Sequence, residues 1–127
     1  MKYLGIDYGD KRIGVAISDP QGRVAFPRQV VFNSGEKTLK DLKKIVEDEQ
    51  VSRIVIGLPQ LPGVGETDQT KKVRNFAEAL GKVVAIGVDF GDELLTTRLV
   101  EKGPIKQEHT DASAAALILQ SYLDKLT

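Results

Sequence analysis

The 127-residue chain carries 18 basic and 18 acidic residues, a formal net charge of zero, with 41% apolar and 28% charged residues, the composition of a soluble globular protein. That balance removes the overall attraction of a basic protein for nucleic acid, so any such contact must use a local patch. With no cysteine and a single histidine, His109, disulfides, zinc–thiolate and iron–sulfur sites, thiol catalysis and multi-histidine metal sites are excluded; metal ligands would have to be oxygens, which select Mg²⁺, Mn²⁺ or Ca²⁺.

The length suits one core, and residues 1–127 are expected to form a single domain. MKYLGID meets a charge too early for a signal sequence, and no apolar run approaches the ~20 residues of a membrane span. A cytoplasmic protein is the expectation.

KYLGID and RIGVAIS read as two strands joined by YGDK, a hairpin with Gly9 at the turn. Alternation puts Tyr3, Gly5 and Asp7 on one face of the first strand. In the second, Ile13, Val15 and Ile17 share one face, and Arg12, Gly14, Ala16 and Ser18 the other. After the turn signal DPQG, VAFPRQVVF is a third strand whose Pro27 suggests an edge or a bulge. GEKTLKDLKKIVEDEQ then places Leu39, Leu42, Ile45 and Val46 on one helical face. RIVIG is a short strand suited to burial on both faces. LPQLPGVGE is a loop, and TDQTKKVRNFAEAL is a second amphipathic helix lined by Val73, Phe76, Ala77 and Leu80 and stopped by Gly81. VVAIGVD is another buried strand, whose Asp89 leads into FGDELLTTRLVEKG, a loop and a short helix. HTDASAAALILQSYLDKL is the last helix, capped by Thr110 or Asp111. The order βββαβαβαα implies a meander extended by parallel strands through right-handed crossovers. An α/β fold is expected: a mixed sheet of five strands with helices on both faces.

Glu36, Asp41, Glu47, Asp48 and Glu49 lie among lysines and read as a solvated helix face. Asp7, Glu93 and Asp111 differ. Asp7 ends the first strand, Glu93 follows the last strand, and Asp111 opens the last helix on the face shared with Ala115, Ile118 and Tyr122. Sites in α/β sheets gather at strand ends. Three converging carboxylates would repel unless a divalent cation neutralised them, and two cations ~3.5–4 Å apart would clamp a phosphodiester. Each acid also has a plain reading: Asp111 as an N-cap, Glu93 as a loop acid, Asp7 as an Asx-turn to Gly9. Asp10, Asp19, Asp89 and Asp92 are nearby acids, either turn caps or a fourth ligand.

GIDYGDKRIGVAISD, VIGLPQ, DELLTT and DASAAALILQSYLD together resemble the YqgF/RuvX family, bacterial proteins of the RNase H-like superfamily described as pre-16S rRNA nucleases or Holliday-junction resolvase homologues. The resemblance runs nearly end to end. It implies an RNase H-like fold with strand order 3-2-1-4-5, Mg²⁺ or Mn²⁺ as cofactor, and catalytic, metal-binding acids at Asp7, Glu93 and Asp111. Leu94 stands where the family usually shows an arginine after Asp-Glu, and Gly91 where an aromatic residue often precedes that motif. RNase H-like enzymes often carry a basic group near the last acid, a role open to His109 and Lys106; an exposed loop histidine is the plainer reading. Lys11 and Arg12 leave the hairpin turn near Asp7 and are candidates for phosphate contact or for ordinary solvation. Lys71, Lys72 and Arg74 read as a polar helix face.

The expected function is a metal-dependent nuclease acting on structured RNA, at the 5′ end of pre-16S rRNA in ribosome biogenesis, or on branched DNA. It would act as a monomer or weak homodimer. The alternatives are a nucleic-acid binding module with little catalysis, and an ATPase related to actin and sugar kinases, whose phosphate hairpin is similar but whose second lobe 127 residues cannot supply.

Overall fold

The computed structural model describes residues 1–59, 66–92 and 107–126. Strands β1 (Tyr3–Tyr8), β2 (Arg12–Ser18), β3 (Ala25–Phe32), β4 (Arg53–Leu58) and β5 (Gly87–Asp92) form one sheet in the order β3-β2-β1-β4-β5. β1–β2 and β2–β3 are antiparallel, and β1–β4 and β4–β5 are parallel. The two parallel additions need crossovers, which helices α1 (Glu36–Asp48) and α2 (Asp68–Val83) provide. Helix α3 (Gln107–Lys125) closes the other face. This is the α/β sheet and strand order expected from the sequence.

Alternation sorts the sheet residues into two layers. Leu4, Ile6, Ile13, Val15, Ile54 and Ile56 point to α1 and α2 and pack on Leu42, Ile45, Val46, Val73, Ala77 and Leu80. Tyr3, Ala16 and Val55 point to α3 and pack on Ala115, Ile118, Leu119 and Leu123. Glycine and alanine bring this second layer into close contact. A Cβ placed on Gly5 would lie 2.8 Å from Leu119 Cβ and 3.0 Å from the Ala115 carbonyl oxygen. One on Gly91 would lie 3.1 Å from Val55 Cγ1 and 3.2 Å from Ile118 Cγ2. Glycine at these positions lets α3 lie directly on the strands. At the β1–β2 turn, a Cβ on Gly9 would meet the Arg12 carbonyl oxygen at 2.4 Å, which accounts for glycine there.

Three boundaries differ from the sequence reading. α2 runs through Gly81 to Val83, because Gly81 is exposed and its single missing side chain costs only about 1 kcal/mol relative to alanine. β5 starts at Gly87 and runs past Asp89 to Asp92. The apolar stretch Val84–Ile86 belongs to the helix exit and the core, and Asp89 is held mid-strand by Arg53 Nη1 (2.8 Å) and the Tyr122 hydroxyl (2.7 Å), so the acid does not end the strand. α3 begins at Gln107, so Thr110 and Asp111 lie inside its first turns and neither is the N-cap. Gln107 and Glu108 are good helix formers, and an acid in a first turn suits the helix dipole. The short helix expected within residues 93–106 lies outside the described residues. Among the described residues no helix is long and apolar enough to cross a membrane.

Candidate active site

Asp7 is the fifth residue of the six in β1 and is half-buried on the α3 face of the sheet. Its partner on β2 is Gly14, which in turn pairs with Val30 on β3. On the other side the β1–β4 register, which pairs Ile6 with Ile56, puts Gly57 opposite Asp7 when continued by one residue, and Gly57 pairs with Gly91. Across four strands the row at this level therefore reads Gly14, Asp7, Gly57, Gly91. Asp7 is the one residue with a side chain on this glycine floor, at the end of the sheet where the parallel strands β1, β4 and β5 all terminate. Sequence reading singled out Asp7 but missed this floor. Its signal is a glycine of matching parity in RIGVA, VIGL and DFGD.

The direction of α3 follows from its contacts. Tyr122 meets Tyr3 with ring centroids 6.0 Å apart, while Leu119 and Ala115 lie over Gly5. Advancing along β1 therefore moves backward along α3, and its N-terminal turns lie toward the Asp7 end. Asp111 is one helical turn, ~6 Å of rise, before Ala115. Asp7 is two strand residues, ~7 Å, beyond Gly5. The two steps match, so the backbone of Asp111 is level with that of Asp7. β5 ends at Asp92, one residue before Glu93. Gly87, Asp89 and Gly91 share the α3 face. Glu93 and Lys106 lie outside the described residues, and His109 is in the first turn of α3.

The other acids near the strand ends have structural partners. Asp10 meets Lys72 Nζ at 3.4 Å and ties the hairpin to α2. Asp19 accepts the Arg23 and Val24 N–H groups at 2.7 and 2.9 Å, and those donors hold its carboxyl below the usual range. Asp89 is bound by Tyr122 and Arg53. These pairings explain three of the four spare acids without a ligand role. Arg74 pairs with Glu66 and lies 5.5 Å over the Phe90 ring, so with Lys72 most of the basic cluster on α2 is engaged structurally. Lys11 and Arg12 are exposed, and Arg12 shares the face of Gly14 and hence of Asp7.

Among the described residues no three of His, Cys, Asp and Glu cluster as a metal site. The donor chemistry still fits a hard cation. The three acids singled out from the sequence, Asp7, Glu93 and Asp111, would offer only carboxylate oxygens to such an ion.

A family model described as RuvX: Holliday junction resolvase matches residues 1–125. A relative from Dictyoglomus thermophilum, named "Putative pre-16S rRNA nuclease", is 42% identical over 98% of this chain and 96% of its own length. One of the same name from Nitratidesulfovibrio vulgaris is 39% identical over 97% and 93%. Among solved structures, Thermus thermophilus RuvC superposes with a TM-score of 0.61 at 11% identity, over 99% of this chain and 96% of RuvC. The fowlpox virus Holliday junction resolvase does so at 0.53 and 9%, over 98% and 99%. These two show a shared fold. From the full-length family match and the relatives near 40% identity, the chain belongs to the RuvX family.

Proposed function

We propose that this protein is a divalent-metal-dependent nuclease that hydrolyses phosphodiester bonds of structured nucleic acid, with the 5′ end of pre-16S rRNA as its substrate. Asp7, Glu93 and Asp111 are its catalytic carboxylates and metal ligands. The observation that carries the reading is the position of Asp7, in a row otherwise made of glycines at the end of the sheet, level with the backbone of Asp111 on α3. Mg²⁺ or Mn²⁺ held by these acids would supply an acidified water and positive charge at the leaving oxygen. The chain's own residues do the rest. Gly14 and Gly57, the glycines paired with Asp7 on either side, add no side chain of their own between it and a sugar–phosphate backbone. Arg12 and Lys11 contact phosphates beside the scissile bond and position the strand without reading its sequence. His109 and Lys106 are the basic groups nearest the last acid in the chain.

The test incubates labelled pre-16S rRNA and a four-way DNA junction with the protein in Mg²⁺ or Mn²⁺, beside Asp7→Asn. Metal-dependent cleavage of the RNA by the native protein, lost in the variant, is the expected result. Equal cleavage by both proteins would remove Asp7 from the site. The family's description favours a second substrate, branched DNA, and preferential cutting of the junction would select it. Salt-sensitive binding with no turnover of either substrate would leave a binding module.

A further inference from the structure

We propose a second nucleic-acid contact on the opposite face of the sheet: the groove between α1 and α2 takes one unpaired base of the substrate strand. The groove has a volume of ≈ 430 Å³. Its floor is aromatic and apolar, with the Tyr8 and Phe76 rings 4.7 Å apart and tilted by 41°, next to Leu39. Asn33, Asn75 and Lys72 line it with amide groups and one cation. An apolar ring surface bordered by side-chain amides is what a nucleobase needs, a face to stack on and hydrogen-bonding groups for its edge. A phosphate fits poorly, because Glu36 stands at the same groove and Lys72 is already paired with Asp10.

Position ties this groove to the candidate active site. Tyr8 follows Asp7 directly in β1, and consecutive side chains of a strand point to opposite faces. The groove and the carboxylate therefore lie back to back at one sheet end, separated by the β1–β2 hairpin. Asn33 braces that hairpin, donating Nδ2–H to the Gly9 carbonyl oxygen at 3.0 Å, and exposed Lys11 lies on the path between the two. A strand passing from Asp7 around the hairpin must turn sharply. A duplex, stiff over ~150 bp, does not make that turn, whereas a single strand does. The occupant is thus a base of a single-stranded segment flanking the cleavage point.

The inference rests on the nuclease reading for its substrate, so binding is measured apart from cleavage. Anisotropy of a labelled eight-nucleotide single-stranded RNA is recorded in EDTA, with a blunt duplex as comparison. The variants are Asn75→Ala, at an exposed helix position, and Phe76→Leu, which keeps apolar bulk. Each is expected to weaken single-strand binding, Phe76→Leu by about tenfold for the lost stacking, and to leave duplex binding unchanged. Gly81→Ala, at an exposed position of α2 outside the groove, is expected to bind the single strand as the native protein does. Native affinity in both groove variants, or an equal loss for single strand and duplex, overturns the proposal. A protein that cleaves nothing yet shows the groove dependence would sink the nuclease reading alone.

Discussion

Replacing Gly5 by alanine adds one methyl group where β1 and α3 are in direct contact. The new Cβ would sit 2.8 Å from Leu119 Cβ and 3.0 Å from the Ala115 carbonyl oxygen. Comfortable carbon contacts lie at ~3.5–4.0 Å, so the pair is too close by roughly 1 Å. Neither neighbour can swing aside, since one is a backbone oxygen and the other is fixed to its own Cα. α3 has to lift, and overpacking of this kind costs about 1–3 kcal/mol. Urea unfolding with linear extrapolation reads that loss as a lower midpoint at unchanged slope. Gly81→Ala is the control. It adds the same methyl at an exposed position of α2 with nothing within 4 Å, and should stabilise by about 0.5–1 kcal/mol. A Gly5→Ala protein as stable as the native one would refute the claim that α3 rests on the glycines of β1. Because α3 also carries Asp111, the lifted helix should bind Mn²⁺ more weakly.

Glu49, at the end of α1, joins Lys2 at 3.0 Å and Arg28 at 3.2 Å, and these partners hold its carboxyl below the usual glutamate range. A lowered folded pKa adds stability above the unfolded value, lost as pH falls through the folded one. Glu49→Gln should therefore be less stable by ~1 kcal/mol or less at pH 7, with the gap closing below pH 4.5 in parallel melts. The Tyr122 hydroxyl is pushed up to about 12 by burial first and then by Asp89. Its contribution is present below pH 10 and lost between 10 and about 12. An alkaline absorbance titration should show one of the three tyrosines ionising late, a step missing in Tyr122→Phe. Asp89→Asn should lower that step toward 10 while leaving cleavage at neutral pH intact, since the Asp89 carboxylate is engaged by Arg53 and Tyr122.

The fold was legible where two periodicities met clear punctuation. The alternating strand RIGVAIS, the continuous apolar strand RIVIG and the faces Leu42–Ile45–Val46 and Val73–Ala77–Leu80 are where the sequence puts them. The boundaries that moved did so for tertiary reasons. Asp89 looks like a strand end until Arg53 and Tyr122 arrive from distant segments. Gly81 looks like a stop until its exposure makes it cheap to include. Of the candidate site, Asp7 was readable as an acid on an inward parity, whereas the glycine row around it needed the strand order, which assembles four residues from four separate strands. Glu93 was singled out by its place after the last strand and then by resemblance, and it lies outside the described residues.

The central claim is that Asp7, Glu93 and Asp111 share bound divalent ions, and a crystal soaked in Mn²⁺ tests it most directly. Anomalous density touching carboxylate oxygens of all three is the predicted result. Manganese bound elsewhere, or none beside Asp7 at a concentration that supports cleavage, would contradict it.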